Sequence, residues 1–292
     1  MRQPAVATAQ PRTRLRGRGL TRELIAHSLL FGVAVIFLVP FFWLVVTSLK
    51  PLNQVFTDPI TWLPNPVQWG NYREALTSPA FPFWRLLGNT VSYAGFSTLG
   101  TVVSSCIVAY AFARMEFRGR NALFSITLAT MMLPGIVTLI PTYILFRRFG
   151  WIGSYAPLVV PLFFGSAFNI FLLRQFMLTI PHDLTDAARV DGAGDWTILW
   201  RIMVPLVKPA LLVVGLFQFL AAWNDFFGPL IYLNDPSRFP LVLGLYAFKT
   251  RFGVEWHLMM AASLAVTAPI IALFFVLQRY FIEGVTLTGL RG

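Results

Sequence analysis

Few residues in this chain are equipped for covalent or metal chemistry, and their spacing argues against it. Cys106 is the only cysteine, so no intrachain disulfide forms; it lies in an apolar segment and reads as a small packing residue. His27, His182 and His257 are scattered and lack metal-ligand spacing. There is no Ser/His/Asp set and no pair of catalytic carboxylates. No G-x-x-x-x-G-K-S/T segment offers a nucleotide-phosphate loop. Four of the chain's 12 acidic residues are instead gathered in one polar island. Residues 181–209, PHDLTDAARVDGAGDWTILWRIMVPLVKP, hold Asp183, Asp186, Asp191 and Asp195. A further carboxylate, Asp225, stands beside Trp223 and Asn224 in an otherwise apolar run. A carboxylate within a membrane span is costly and marks a functional candidate.

The polar island has helix punctuation at both ends. Pro181 disfavours an α conformation at Ile180. Asp183 and Thr185 are good amino-terminal caps and predict a short helix continuing through Asp186, Ala187, Ala188, Arg189 and Val190. Gly192 falls where that helix would end in a left-handed turn, which glycine adopts without a Cβ clash. A second short helix is predicted over 196–204, with Trp196, Leu199, Ile202 and Met203 along one face, and Pro205 and Pro209 break it. The result is a compact helix–turn–helix on a membrane surface with its tip at residues 187–192. Alanines at such a tip let a partner's surface approach closely. An ordinary amphipathic connector between two spans fits the same physics.

These segments are positioned by an apolar frame. The chain is 57% hydrophobic and 12% charged, against about 25% charged in soluble proteins. Runs of about twenty apolar residues predict an all-α, polytopic membrane protein with six transmembrane helices, over 24–48, 89–113, 122–146, 155–177, 209–233 and 258–281. Residues 1–22 form a basic tail, and 23–292 a single membrane domain that carries the polar loop 181–208. Pro40 predicts a kink in the first span; Pro134-Gly135 and Pro141 break the third. The second span is rich in small residues, among them Gly95, Ser97, Gly100 and Ser105. These suit either close helix packing or a hydrophilic pore face. The net charge of +11 is not laid out for nucleic acid. Arginines 2–22 precede the first apolar run and other basic residues sit in short loops, the positive-inside pattern. This places both termini and the polar loop in the cytoplasm, and loops 50–87 and 234–257 outside, where Trp62, Trp69 and Trp84 suit the interface. The first span is too long for a cleaved signal peptide, and no internal repeat suggests inverted halves.

The polar loop resembles a known signature. Permease subunits of binding-protein-dependent ABC importers carry a loop reading E-A-A, three residues, G, nine residues, I-x-L-P. Here Asp186-Ala187-Ala188, Gly192 and Ile202-x-Val204-Pro205 keep both spacings; Asp186 replaces Glu and Val204 replaces Leu. Met132-Leu133-Pro134-Gly135, Leu139-Ile140-Pro141, Phe171-Leu172-Leu173-Arg174-Gln175-Phe176, Trp223-Asn224-Asp225-Phe226 and the ending 284–292 are similar to the carbohydrate-uptake, maltose-type branch, with Leu287, Leu290 and Arg291 departing from its usual ending. The resemblance covers roughly residues 24–292. It implies a bacterial inner-membrane subunit that is not itself an enzyme and binds no cofactor. ATP and Mg belong to two separate ATPase subunits, and an extracytoplasmic binding protein and a second, similar permease complete the complex in the lipid bilayer. In that reading Asp186, Ala187, Ala188, Asp191, Gly192, Ile202 and Pro205 couple to the ATPase. Trp223, Asn224 and Asp225 line the path of a sugar, whose ring and hydroxyls suit aromatic faces and amide or carboxylate acceptors; alternatively Asp225 holds the helix bundle together. A stand-alone secondary transporter, or an importer subunit for glycerol phosphate or a polyamine, are the competing functions.

Overall fold

A computed structural model describes residues 16–250 and 253–289. The arginines at 2, 12 and 14, Arg251, and Leu290 to Gly292 of the terminal string lie outside the described residues. Helix α1 (Arg16–Ser48) begins within the expected tail and is continuous through Pro40. Most of its apolar side chains from Leu24 to Phe42 are exposed, while Val46, Thr47 and Ser48 are buried. The following loop is more ordered than a plain connector: it contains α2 (Gly70–Thr77), and the next helix starts early, as α3 (Phe83–Arg114). Lys50 in this loop is fully buried. Its Nζ donates to the Thr61 carbonyl at 2.5 Å and lies 4.3 Å from the Trp43 ring centroid, a cation–π contact.

Helices α4 (Arg120–Thr130) and α5 (Gly135–Arg148) meet at 98°. The break falls at Pro134-Gly135, where the missing proline N–H ends the ladder; Pro141 leaves α5 uninterrupted. A one-turn α6 (Ala156–Val159) runs through a 3₁₀ segment (Val160–Phe164) and Gly165 into α7 (Ala167–Leu178). The polar loop supplies α8 (Asp183–Val190), α9 (Asp195–Ile198), a π-helical turn (Leu199–Met203) and α10 (Val204–Leu206). Then follow α11 (Lys208–Trp223), α12 (Phe227–Tyr232), α13 (Leu241–Gly244) and α14 (Trp256–Gly289). Helix α14 thus takes in much of the segment expected as a tail. A two-residue antiparallel ladder, Lys249–Thr250 with Gly253–Val254, interrupts the otherwise helical chain.

Among the described residues, four stretches are long and apolar enough to cross a membrane: Arg22–Ser48, Phe83–Arg114, Ala156–Leu178 and Trp256–Val276. Two bent helix pairs raise this to six if each is one span. The expected six therefore depend on counting the bent pairs.

Helix α3 is the axis of the packing. One core lies around its end, with Cys106, Ala109, Tyr110 and Ala113 against Leu173, Met177, Ala188, Ile198, Met203 and Val214. The other surrounds its start, with Tyr93 and Ala94 against Trp223, Leu241, Leu258 and Ala262. The small residues of α3 that are buried serve close packing. A Cβ on Gly100 would lie 2.6 Å from the Phe163 ring, and Ser104 Oγ donates across to the Leu162 carbonyl at 2.9 Å.

Candidate functional site

The polar loop begins with α8, but not with the caps expected of it. His182 occupies the cap position and makes no side-chain capping bond. Thr185 is buried, and its hydroxyl donates to the His182 carbonyl at 2.7 Å. Asp183 and Asp186 lie in the first turn, where carboxylates complement the positive end of the helix dipole.

The end of α8 is built as expected. Gly192 has φ +83°. Its N–H donates to the Arg189 carbonyl at 3.0 Å, and the Ala193 N–H donates to Ala188 at 2.9 Å. This is the paired bonding of a Schellman turn, in which a Cβ at the left-handed residue is strained.

The alanines divide between two faces. Ala187 is exposed, whereas Ala188 is 9% exposed and packs into the chain's own core. The expectation that Asp186, Ala187 and Ala188 face outward together is corrected for Ala188, because α8 rests one face on the bundle. The free surface of the tip comprises Asp186, Ala187, Val190, Asp191 and Gly192.

The second half of the loop also differs in register. The π turn at Leu199–Met203 advances the buried face by five residues in place of four, so Ile198, Leu199, Met203 and Val207 are buried. Trp196 is 63% exposed and Ile202 only half-buried. Each fully buried apolar side chain is worth about 1.5–3 kcal/mol, so these four anchor the loop. Pro205 lies inside α10 and does not break it; the chain turns at Val207, and the helical stretch before it meets α11 at 80°.

Polar ties join the loop to the end of α3, and sequence reasoning did not single them out. Tyr110 Oη donates to Asp195 Oδ1 at 3.0 Å. Arg189 bridges Asp186 and Asp195, each at 3.4 Å, and donates to the Arg114 carbonyl at 3.4 Å. Arg114, only 4% exposed, donates from Nη2 to the carbonyls of Met177 and Ile180, tying the end of α3 to the end of α7 and the residues just after it. Arg174 Nε donates to the Phe112 carbonyl at 3.2 Å, and its guanidinium lies 4.2 Å from the Phe124 centroid.

The other candidate group lies at the break between α11 and α12. Trp223 is 2% exposed and its Nε1 donates to the Val266 carbonyl at 3.3 Å. Asp225 is half-buried. Its Oδ2 accepts from Tyr93 Oη at 2.7 Å and its Oδ1 from the Gly228 N–H at 3.0 Å. Asn224 is exposed, with Nδ2 donating to the Leu220 carbonyl at 2.8 Å. The two candidate groups are not brought together: one lies at each end of α11. No group of three or more His, Cys, Asp and Glu residues that could hold a metal is found among the described residues.

Residues 101–286 match the family described as binding-protein-dependent transport system inner membrane component. Over 262 residues the chain is 30% identical to the arabinooligosaccharides transport system permease protein AraQ of Halalkalibacterium halodurans, covering 89% of this chain and 93% of that protein. Over 273 residues it is 32% identical to the sn-glycerol-3-phosphate transport system permease protein UgpE of Yersinia enterocolitica, covering 91% and 96%. Among solved structures, a chain of a bacterial ABC transporter involved in the import of the acidic polysaccharide alginate superposes with a TM-score of 0.80 at 26% identity, over 92% of this chain and 100% of that one.

Proposed function

The chain belongs to the family of binding-protein-dependent transport system inner membrane components, and from that premise we propose that it forms half of the translocation path of an ATP-driven importer for a sugar or oligosaccharide. The other half is a second, similar permease. Two cytoplasmic ATPase subunits hold ATP and Mg, and an extracytoplasmic binding protein delivers the solute. The observation that carries this reading is the tip of α8. An exposed Ala187 and a left-handed Gly192 at the family's spacing end a helix that is anchored from behind by Ala188, Ile198 and Met203. A connector has no need of an outward knob held so firmly. Closure of the ATPases would push this knob and switch the bundle between inward and outward access, with each ligand biasing the switch only through its differential affinity for the two states.

In this reading Asn224 is the member of the pathway group open to solute, while Trp223 and Asp225 shape the break on which it stands. Both termini and loop 181–208 face the cytoplasm. Ala193→Cys in a Cys106→Ser background tests this, since an impermeant thiol reagent should label it only from the cytoplasmic side. Titration calorimetry of the partner binding protein against a panel of sugars tests the solute class. The UgpE similarity favours one alternative, so glycerol 3-phosphate belongs in the same panel; heat with it and none with any sugar would replace the sugar reading.

A further inference from the structure

We propose that the groove between α3, α11 and α14 holds an anionic glycerophospholipid, its headgroup on Lys208 and one acyl chain along the groove. The cavity measures about 480 Å³. Gly95, Thr98 and Val102 of α3 and Leu212, Gly215 and Phe219 of α11 supply most of its wall, and Lys208 is its one charged residue. The floor is closed by ordinary van der Waals contact: a Cβ on Gly215 would sit 3.6 Å from the methyl groups of Thr98 and Val102. The side is open, for a Cβ on Gly95 would meet nothing within 4 Å.

Dimensions select the occupant. From Lys208 to Phe219 the groove follows α11 for about 16 Å at 1.5 Å per residue, close to half of a hydrocarbon core about 30 Å thick. It is one leaflet deep. An acyl chain laid along α11 spans that depth and meets apolar walls below Lys208.

Charge selects the headgroup. Lys208 is exposed and has no ion pair among the described residues. It is the first residue of α11, so the positive end of that helix dipole adds to its ammonium. A basic residue at the membrane surface above an apolar groove between spans suits an anionic lipid. Lys208 also directly follows Val207, where the loop turns by 80° into α11, so an occupied site braces the hinge between loop and span. The inference takes its leaflet, the cytoplasmic one, from the orientation proposed above.

The test uses the whole complex with its partner subunits in nanodiscs of phosphatidylcholine and phosphatidylglycerol. After re-extraction into mild detergent, the retained lipids are counted by mass spectrometry. The wild type should retain phosphatidylglycerol above its bulk share. Lys208→Gln should reduce that enrichment about fivefold, the equivalent of about 1 kcal/mol per basic residue near an anionic surface, and Lys208→Arg should preserve it. Gly95→Phe should fill the groove and lower retention of both lipids without changing the melting temperature. Unchanged enrichment in Lys208→Gln, or unchanged retention in Gly95→Phe, overturns the proposal. So does loss of the second permease from the Gly95→Phe complex, which would assign the groove to protein. Lipid retention is read without transport, so its failure leaves the importer reading untouched.

Discussion

Replacing Gly192 with valine isolates the turn from everything around it. An added Cβ there meets nothing within 4 Å, so no clash with a neighbour confuses the outcome; the perturbation is purely one of backbone conformation. Holding an L residue left-handed costs about 1–2 kcal/mol, and a β-branched residue is a true outlier there. The chain can escape the strain by rotating φ, but that breaks the bonds from the Gly192 and Ala193 amides to Arg189 and Ala188, at about 1 kcal/mol each. Either route costs about 2 kcal/mol, or roughly 30-fold in an equilibrium. If the ATPase accepts only the closed turn, docking weakens by up to that factor. Gly192→Ala should cost less, and Gly192→Asn least, because asparagine tolerates the left-handed region. The assay is co-purification of the ATPase over a concentration series, with binding-protein-stimulated hydrolysis in proteoliposomes and hydrogen exchange at the two amides. If Gly192→Val matches the wild type in docking and stimulation while both amides stay protected, the turn does not position the tip and the reasoning fails.

Three further outcomes follow from placement. Ala187→Leu should weaken ATPase co-purification and leave thermal stability unchanged, whereas Ala188→Leu should lower the melting temperature of the membrane domain itself, overpacking costing about 1–3 kcal/mol; identical effects would mean that the two faces are not distinct. Asp225→Ala leaves the Tyr93 hydroxyl and the Gly228 N–H without their acceptor, at about 1–3 kcal/mol each, so it should destabilise the protein where Asp225→Asn largely does not; a stable Asp225→Ala that fails only in uptake would move Asp225 to the solute. Arg114→Gln should weaken the hold on the Met177 and Ile180 carbonyls, at about 1.5–3 kcal/mol for each bond to a charged donor, and be read as lower thermal stability; a melting curve like that of the wild type would refute the clamp.

Much of the local punctuation was legible in the sequence. Gly192 and Pro134-Gly135 were readable because glycine and proline act through their own backbone, whatever surrounds them. The faces were less so. The buried set Ile198, Leu199 and Met203 follows a π turn, which a 3.6-residue period does not describe, and hence Trp196, which that period puts on one face with Leu199 and Met203, lies exposed while they are buried. Ala188 and Ala187 are identical in sequence and opposite in placement. Arg114 read only as a loop charge, since its partners Met177 and Ile180 are more than 60 residues away and no local pattern joins them. Trp223 read as a candidate for the solute path because an aromatic beside a carboxylate suits a sugar, but its indole is buried and bonded to Val266.

The long-range ties show how a displacement of the α8 tip can reach the distant break at Asn224. Helix α3 carries Tyr110 and Arg114 at one end, bound to the loop and to α7, and Tyr93 nearer the other, bound to Asp225. Tyr93 and Tyr110 are 17 residues apart, about 26 Å along one helix at 1.5 Å per residue. Between them Gly100 lies against Phe163, so α3 cannot slide without carrying the 3₁₀ segment before α7. Helix α11 runs alongside from the hinge at Val207 to the break at Asn224. The loop and the break are therefore joined by two packed helices, of which α3 is fastened toward both ends by side-chain hydrogen bonds. A displacement of α8 strains Tyr110–Asp195 at once and Tyr93–Asp225 through the length of α3. Two such fastenings in series favour discrete arrangements over gradual bending, since a buried tyrosine hydroxyl released from its carboxylate must find another partner. That is the mechanical property the alternating access proposed above would require, and in that proposal it resides in Tyr93, Tyr110 and Arg114, none of them in the loop motif.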